Sequence, residues 1–461
     1  MTDPSVLTEP DKKDLTKGDI LPHLRRLSLP MTWGIFAVVS VTLIDTYYIS
    51  RLGTNELAAI SFAFTISFSV FSLILGLGVG MSSVISRTIG SGNMRAVRRI
   101  VLHSLITGFL FSVVLTAVGL TFQPLLFRLM GAEEELLPLI LDYMNIWFIG
   151  IVFVTLPIIG NAAMRGNGDS MTPSLIMILV AVLNLVLDPI LIFGYFGVPA
   201  LGIQGAALAS VISYATSMVV GLVILARYKK LLGHAPPDWH LFFDSAKKLL
   251  HVGLPAGLAN MVQPLSQAVI VALLAYISTQ AVAGFGVAVR VQSFVLIPLM
   301  ALASGMAPIV GQNWGARLFG RVNQTLRTAL QINILWCVFI AIILAVFARP
   351  IAGLFSAEPD VIEVTVLYFY LVPLTFIGAQ TVTLWGAAFN ASGYPRRAFL
   401  NLNSKILVFY VPGGLIGAVL YDVPGAFAGI AIANILAGTI LHVLNRRFCL
   451  KREEKLAAET S

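Results

Sequence analysis

Long apolar stretches alternate with short polar, basic ones along this chain. Twelve apolar segments stand out, at about 24–50, 57–86, 100–122, 136–163, 173–194, 202–226, 249–276, 281–310, 328–348, 361–389, 398–421 and 425–445. A helix needs about 20 apolar residues to cross a bilayer, so each segment predicts one membrane-spanning helix. The polar remainder divides the chain into an N-tail (1–23), a first lobe of six spans (24–226), a basic linker (227–248), a second lobe of six spans (249–445) and a C-tail (446–461). Trp239 and Phe242 within the linker predict that it lies at the membrane surface.

Composition agrees. Of 461 residues, 57% are hydrophobic and 11% charged, and the mean hydropathy is +0.89. A soluble domain carries roughly 25% charged residues. The polar start lacks a short apolar core followed by a small-residue cleavage site, so no cleaved signal peptide is expected. Cys337 and Cys449 supply neither a disulfide framework nor a metal spacing.

A net charge of +8 could suggest nucleic acid, but its distribution points to topology. With the N-terminus inside, 25 of the 30 Lys and Arg fall in inside loops or tails, and only Arg51, Arg128 and Arg349 fall outside. This is the positive-inside pattern; it predicts both termini in the cytoplasm and gives the bilayer, not nucleic acid, as the partner. Arg290 and Lys405 remain within spans.

The two halves match at an offset of 225 residues. Leu29-Pro30 falls on Leu254-Pro255, Gly80-Met81 on Gly305-Met306, Gly90 on Gly315, Tyr143 on Tyr368 and Gly168 on Gly393. After a small deletion the offset becomes 220, with Gly205-Ala206 on Gly425-Ala426. Six crossings per half is an even number, so both halves start on the same side. The predicted fold is therefore an all-α integral membrane protein: two six-helix lobes related by a pseudo-two-fold along the membrane normal, with a cavity between them. One chain supplies both lobes, so a monomer is expected.

Two acids interrupt apolar stretches, Asp45 in the first segment and Asp188 in the fifth. A carboxylate at membrane depth is costly and rare, which marks a functional site by default. Asn184 shares a helix face with Asp188 four residues on. Pro189 leaves the Leu185 carbonyl without its helical donor. Both acids lie about 8–9 Å from one membrane surface at 1.5 Å per residue. Tyr143 enters at comparable depth and Ser210 somewhat deeper. Burial disfavours an ionised carboxyl and a second carboxyl disfavours it further, so the pair suits proton uptake and release. Equally, Asp45, Asn184, Asp188 and Ser210 offer only oxygens, which suits a hard cation such as sodium. The residues do not choose between the two ions.

Other polar positions point to a second-lobe cavity or to helix–helix hydrogen bonds: Asn260, Gln263 and Gln267 in segment seven and Gln380 in segment ten. Arg290 either pairs with a carbonyl or lines the cavity, and Lys405 is placed to snorkel. Pro30 and Pro255 open the first span of each lobe, where a lost backbone donor allows bending. Gly76, Gly78 and Gly80 predict close helix packing more than a bend. No nucleotide-binding loop, His-Glu-x-x-His or Gly-x-Ser-x-Gly pattern is present. The pattern is that of a transporter rather than an enzyme, with no cofactor, drawing on an ion gradient for uphill work.

With these residues in view, the chain resembles the multidrug and toxic compound extrusion (MATE) transporters across all twelve segments. The resemblance is carried by LPM (29–31), IDTYYISRLG (44–53), NAAMRGNGD (161–169), LNLVLDPILIFG (183–194), GVAVRVQSF (286–294) and PLMALASGMAPIVGQNWGA (298–316). It implies two six-helix lobes around a V-shaped cleft, and export of cationic or amphipathic drugs in exchange for protons or sodium across a bacterial cytoplasmic membrane. Where NorM-like members carry acids in segments seven and ten, this chain has neutral residues such as Gln263 and Gln380. Its first-lobe acids resemble the DinF-like branch, whose ion and coupling positions fall on Asp45, Asn184, Asp188 and Tyr143, with Asn161 as a further polar match. Ser210 stands where that branch has a threonine and keeps the hydroxyl. The resemblance also implies that protonation bends segment one at Pro30. Related folds include flippases for lipid-linked precursors, an alternative that needs a more cationic cavity. A non-transporting receptor or channel is a further alternative, against which the repeat and the paired acids speak.

Overall fold

The computed structural model describes residues 14–232 and 239–458. Residues 1–13, with Lys12 and Lys13, and the linker core 233–238 lie outside the described residues. The first six crossings are α1 (Ile20–Ser50), α2 (Thr54–Gly90), α3 (Met94–Leu129), α4 (Leu137–Gly166), α5 (Met171–Phe193) and α6 (Ile203–Val223). The seventh, α7 (Trp239–Ile277), starts within the stretch expected as linker, so that residues 239–248 of that linker are helix continuous with span seven. Trp239 and Phe243 on its first turns are exposed, and His103 Nδ1 of α3 lies 3.1 Å from Ser245 Oγ on its inner face.

Three spans of the second lobe are broken where the hydropathy pattern shows single segments. α8 (Thr279–Val295) and α9 (Ile297–Gly315) form one crossing bent by 41° at Leu296, just before Pro298. α10 (Phe319–Val346) is the ninth crossing, followed by the short α11 (Ala348–Gly353). The tenth is α12 (Pro359–Leu371) and α13 (Phe376–Ser392), interrupted at Pro373, whose ring removes a helical donor. The eleventh begins as α14 (Pro395–Ser404), passes a π-helical turn at Lys405–Tyr410 and continues as α15 (Val411–Ala458). α15 contains a non-helical break at Tyr421 and Asp422, where the chain doubles back: Gly417 meets Gly425 and Gly413 meets Gly429 across the hairpin. The described chain therefore makes twelve crossings.

The repeat is visible in the contacts. A Cβ on Gly80 would lie 3.0 Å from Gly253 N on α7, and one on its mate Gly305 would lie 3.0 Å from Ser28 N on α1. Ser28 and Gly253 are themselves mates at the 225 offset. Likewise Gly90 abuts the Gln312 carbonyl, and Gly315 abuts the carbonyl of Arg87, the mate of Gln312. Ser86 touches its own mate, Gly311, so the pseudo-two-fold passes between these two residues. The glycines of α2 serve packing, as their spacing predicts: Gly76 and Gly80 admit α7 at backbone contact, and Gly78 faces Ile158 of α4.

These contacts lie in the half of the bundle nearest both termini. There Ser83 Oγ donates to the Asn390 carbonyl, Gln312 Nε2 donates to the Gly166 carbonyl (3.0 Å), and Leu15 is wholly buried against the second lobe. Toward the opposite face, α1, α2 and α7 keep exposed polar residues, among them Thr42, Ser61, Thr65, Asn260 and Gln263. The lobes are closed at the terminal face and open a cleft toward the other.

Candidate ion site and substrate cleft

Asp45 and Asp188 meet, as their equal depths predict. Each lies five residues from the end of its helix, on α1 and α5, at the face opposite the termini. The two carboxyl groups stand within hydrogen-bonding reach of one another. Asp188 is 0% exposed, and its Oδ2 has no donor among the protein groups around it. Two ionised carboxylates in that position repel, which suits the pair to holding a proton or a cation.

Asn184, one turn before Asp188, completes the group. With its amide oxygen accepting from Ser210 N and Oγ, both at 3.3 Å, its nitrogen donates to Asp45 Oδ1 at 2.9 Å. Rotated half a turn, the same nitrogen faces Asp188 Oδ1 at 3.4 Å and Ser210 Oγ at 3.3 Å. The oxygen-donor set read from the sequence is thus assembled at one place, and the amide can follow the charge on either acid. Tyr143 of α4 stands beside both acids.

Tyr214 completes the wall and escaped the sequence reading. With Val38, Val41, Thr42, Asp45, Val180, Ala181, Asn184 and Ser210 it lines a cavity between α1, α5 and α6. The signal was present: Tyr214 follows Ser210 by four residues on α6 and shares its face.

The remaining candidates lie elsewhere. Asn260, Gln263 and Gln267 form one partly to fully exposed stripe of α7, Arg290 is exposed on α8, and Gln380 is partly exposed on α13. Lys405, partly exposed, occupies the repeat position of Val180. Asn161 is buried near the terminal end of α4, eighteen positions or roughly 27 Å from Tyr143, and belongs to neither the acid cluster nor the open cleft. Pro30 lies within an unbroken α1, fifteen residues from Asp45.

A family model described as MatE matches residues 30–190 and again 255–416. The two matches begin at Pro30 and Pro255, the pair already related by the repeat. The chain belongs to the MATE family of transporters. It is 36% identical to a FAD transporter of Shewanella oneidensis over 95% of this chain and 97% of that one. It is 30% identical to the probable multidrug resistance protein YoeA of Bacillus subtilis, over 74% of each chain. Among solved structures, the Vibrio cholerae MATE transporter VcmN in the bent form superposes with a TM-score of 0.89 at 28% identity, covering 94% of this chain and 98% of that one. This chain is accordingly a multi-pass membrane transporter and not an enzyme. The two-lobed, twelve-span fold read from its hydropathy is that of the family.

Proposed function

We propose that this MATE transporter is an ion-coupled antiporter of the DinF-like kind, acting as a monomer with both termini in the cytoplasm. Its cargo is an amphipathic organic compound carried in the interlobe cleft; its coupling ion is a proton or sodium. The observation that carries this reading is the Asp45–Asp188 pair, its second member buried, which suits a cation between its carboxyls and opens on a cavity of the first lobe. In the conformation seen here the pair lies near the open face, so an outside ion reaches it. Binding there alters α1, whose Pro30 leaves the Arg26 carbonyl without a helical donor and so allows the helix to bend. A bent α1 narrows the cleft wall and releases cargo outward. The empty pair then favours return to the form open at the terminal face.

Two cargo classes follow from the likenesses. Multidrug resistance proteins among the relatives favour cationic or amphipathic drugs. The similarity to a FAD transporter over nearly the whole chain favours an aromatic anion. Efflux of ethidium and of FAD from vesicles, under separately imposed proton and sodium gradients, separates cargo and ion together. Ion-independent leakage of both compounds contradicts antiport and favours a channel.

A further inference from the structure

Arg290 is the one intramembrane cation of α8, about eleven residues or 16 Å from that helix's outer start. Its guanidinium is exposed, with no hydrogen bond or ion pair to any described residue. It does not face lipid. Phe294, one turn further along the same helix face, packs its ring 5.9 Å from that of Phe36 on α1, in the other lobe. That face of α8 therefore looks across the cleft. The rest of the stripe is small or polar, with Ala283, Gly286 and Ser293, and nothing approaches within 4 Å of a Cβ built on Gly286. A charged side chain turned to hydrocarbon at mid-span would cost roughly 3 kcal/mol; one in a watered cleft does not.

Opposite it stands an aromatic wall. Trp33 is 67% exposed, and its ring lies 6.3 Å from that of Phe36, which touches Phe294. No acid of the second lobe competes for the arginine. Between 239 and 458 the acids are Asp244, Glu358, Asp360, Glu363, Asp422, Glu453 and Glu454, all near helix ends, in the hairpin turn or in the tail. The two first-lobe acids at membrane depth, the partly exposed Asp45 and the buried Asp188, are occupied with each other.

From this juxtaposition we infer that the cleft carries an anion subsite, in which Arg290 binds the phosphate or carboxylate of an amphipathic substrate whose aromatic part rests on Trp33, Phe36 and Phe294. The inference rests on the reading of the interlobe cleft as the cargo path and selects its anionic class. A planar guanidinium offers paired donors matched to a phosphate, and aromatic faces accept a flat ring without demanding its identity.

The test uses flavin mononucleotide and riboflavin, which share one ring system and differ by a phosphate. Equilibrium binding to the full chain in nanodiscs is followed by flavin fluorescence. Wild type binds the phosphate-bearing flavin about tenfold tighter than riboflavin, the strength of one charge-assisted pair. Arg290→Gln removes that preference while leaving riboflavin binding within about twofold, a control for folding, and Arg290→Lys restores part of it. Equal binding of both flavins by wild type, undetectable binding of both, or a preference that survives in Arg290→Gln overturns the subsite. Failure of the transport reading shows separately, as wild-type vesicles that exchange neither flavin nor ethidium for an ion while the binding preference persists.

Discussion

Ile270 occupies in the second lobe the place that Asp45 occupies in the first. It is the mate of Asp45 at the 225 offset, is 0% exposed, and its Cδ1 lies 2.6 Å from the Cβ position of Gly414. Ile430, the mate of Ser210 at the 220 offset, closes on the same glycine, and Asp188 has Gly413 as its mate. Where the first lobe holds an acid, an acid and a hydroxyl around a cavity, the second has Ile270 and Ile430 closed on Gly414, with Gly413 packed against Gly429. The duplicated scaffold thus carries one polar site, and its absence from the other lobe is achieved by packing. Ile270→Asn is expected to cost about 2–4 kcal/mol through a buried unpaired amide and lost apolar contact, read as a lowered melting temperature in detergent. The ion dependence of the folded fraction is expected to stay as in wild type.

The interlobe contact gives a prediction with built-in symmetry. Gly90 and Gly315 press on the carbonyls of Gln312 and Arg87, so a side chain at either position forces the lobes apart at the terminal face. Gly90→Val and Gly315→Val are each expected to raise cysteine labelling of Ser83→Cys by severalfold, since that residue is sealed against Asn390 when the face is closed. Unchanged labelling in both would mean that these glycines do not set the closure.

The hairpin turn offers a stabilising change. Asp422 adopts φ 49° and ψ −136°, the conformation that its repeat mate Gly202 adopts at φ 55° and ψ −130°. A Cβ is strained there and glycine is not. Asp422→Gly is expected to stabilise the folded protein by about 1 kcal/mol, visible as a higher midpoint in a thermal melt, with transport unchanged.

Acid sensitivity should enter through Asp169, in the loop between α4 and α5. Burial opposes its ionisation, but the Lys229 ammonium beside it and hydrogen bonds from Thr172 N (3.1 Å) and Oγ1 (2.8 Å) outweigh that and hold its carboxyl below the usual value. A depressed carboxyl contributes stability that is present above the unfolded value, near 3.9, and is lost as pH falls through the folded one. Lys229→Met removes the ion pair but leaves the Thr172 hydrogen bonds and the nearby Arg26 charge, and is expected to cost about 1 kcal/mol at neutral pH. That loss should shrink as the pH is lowered through this range, in melts of wild type and variant side by side.

Hydropathy made the twelve crossings legible because each needs only length and apolarity. Loop charge does not show in a helical bundle, whereas the repeat register shows residue by residue, down to Ser86 against Gly311. The acid site was equally legible, since Asp45, Asn184, Asp188 and Ser210 are conspicuous in apolar surroundings. Tyr214 was not, because a tyrosine in an apolar span is compositionally ordinary and only its phase relative to Ser210 places it. The breaks at Leu296 and Pro373 were hidden for a different reason: a bend leaves hydropathy intact, and a proline in a span is compatible with a straight helix, as Pro189 is in α5.

One first-lobe carboxyl pair is proposed to couple ion to cargo, and that coupling can be measured. Its most direct measurement is substrate-driven ion exchange by Asp45→Asn in proteoliposomes, with imposed proton and sodium gradients applied in turn and reconstitution matched to wild type. Wild type is expected to couple to at least one gradient and Asp45→Asn to neither, falling at least about a hundredfold to the leak level. Wild-type exchange by Asp45→Asn would contradict it.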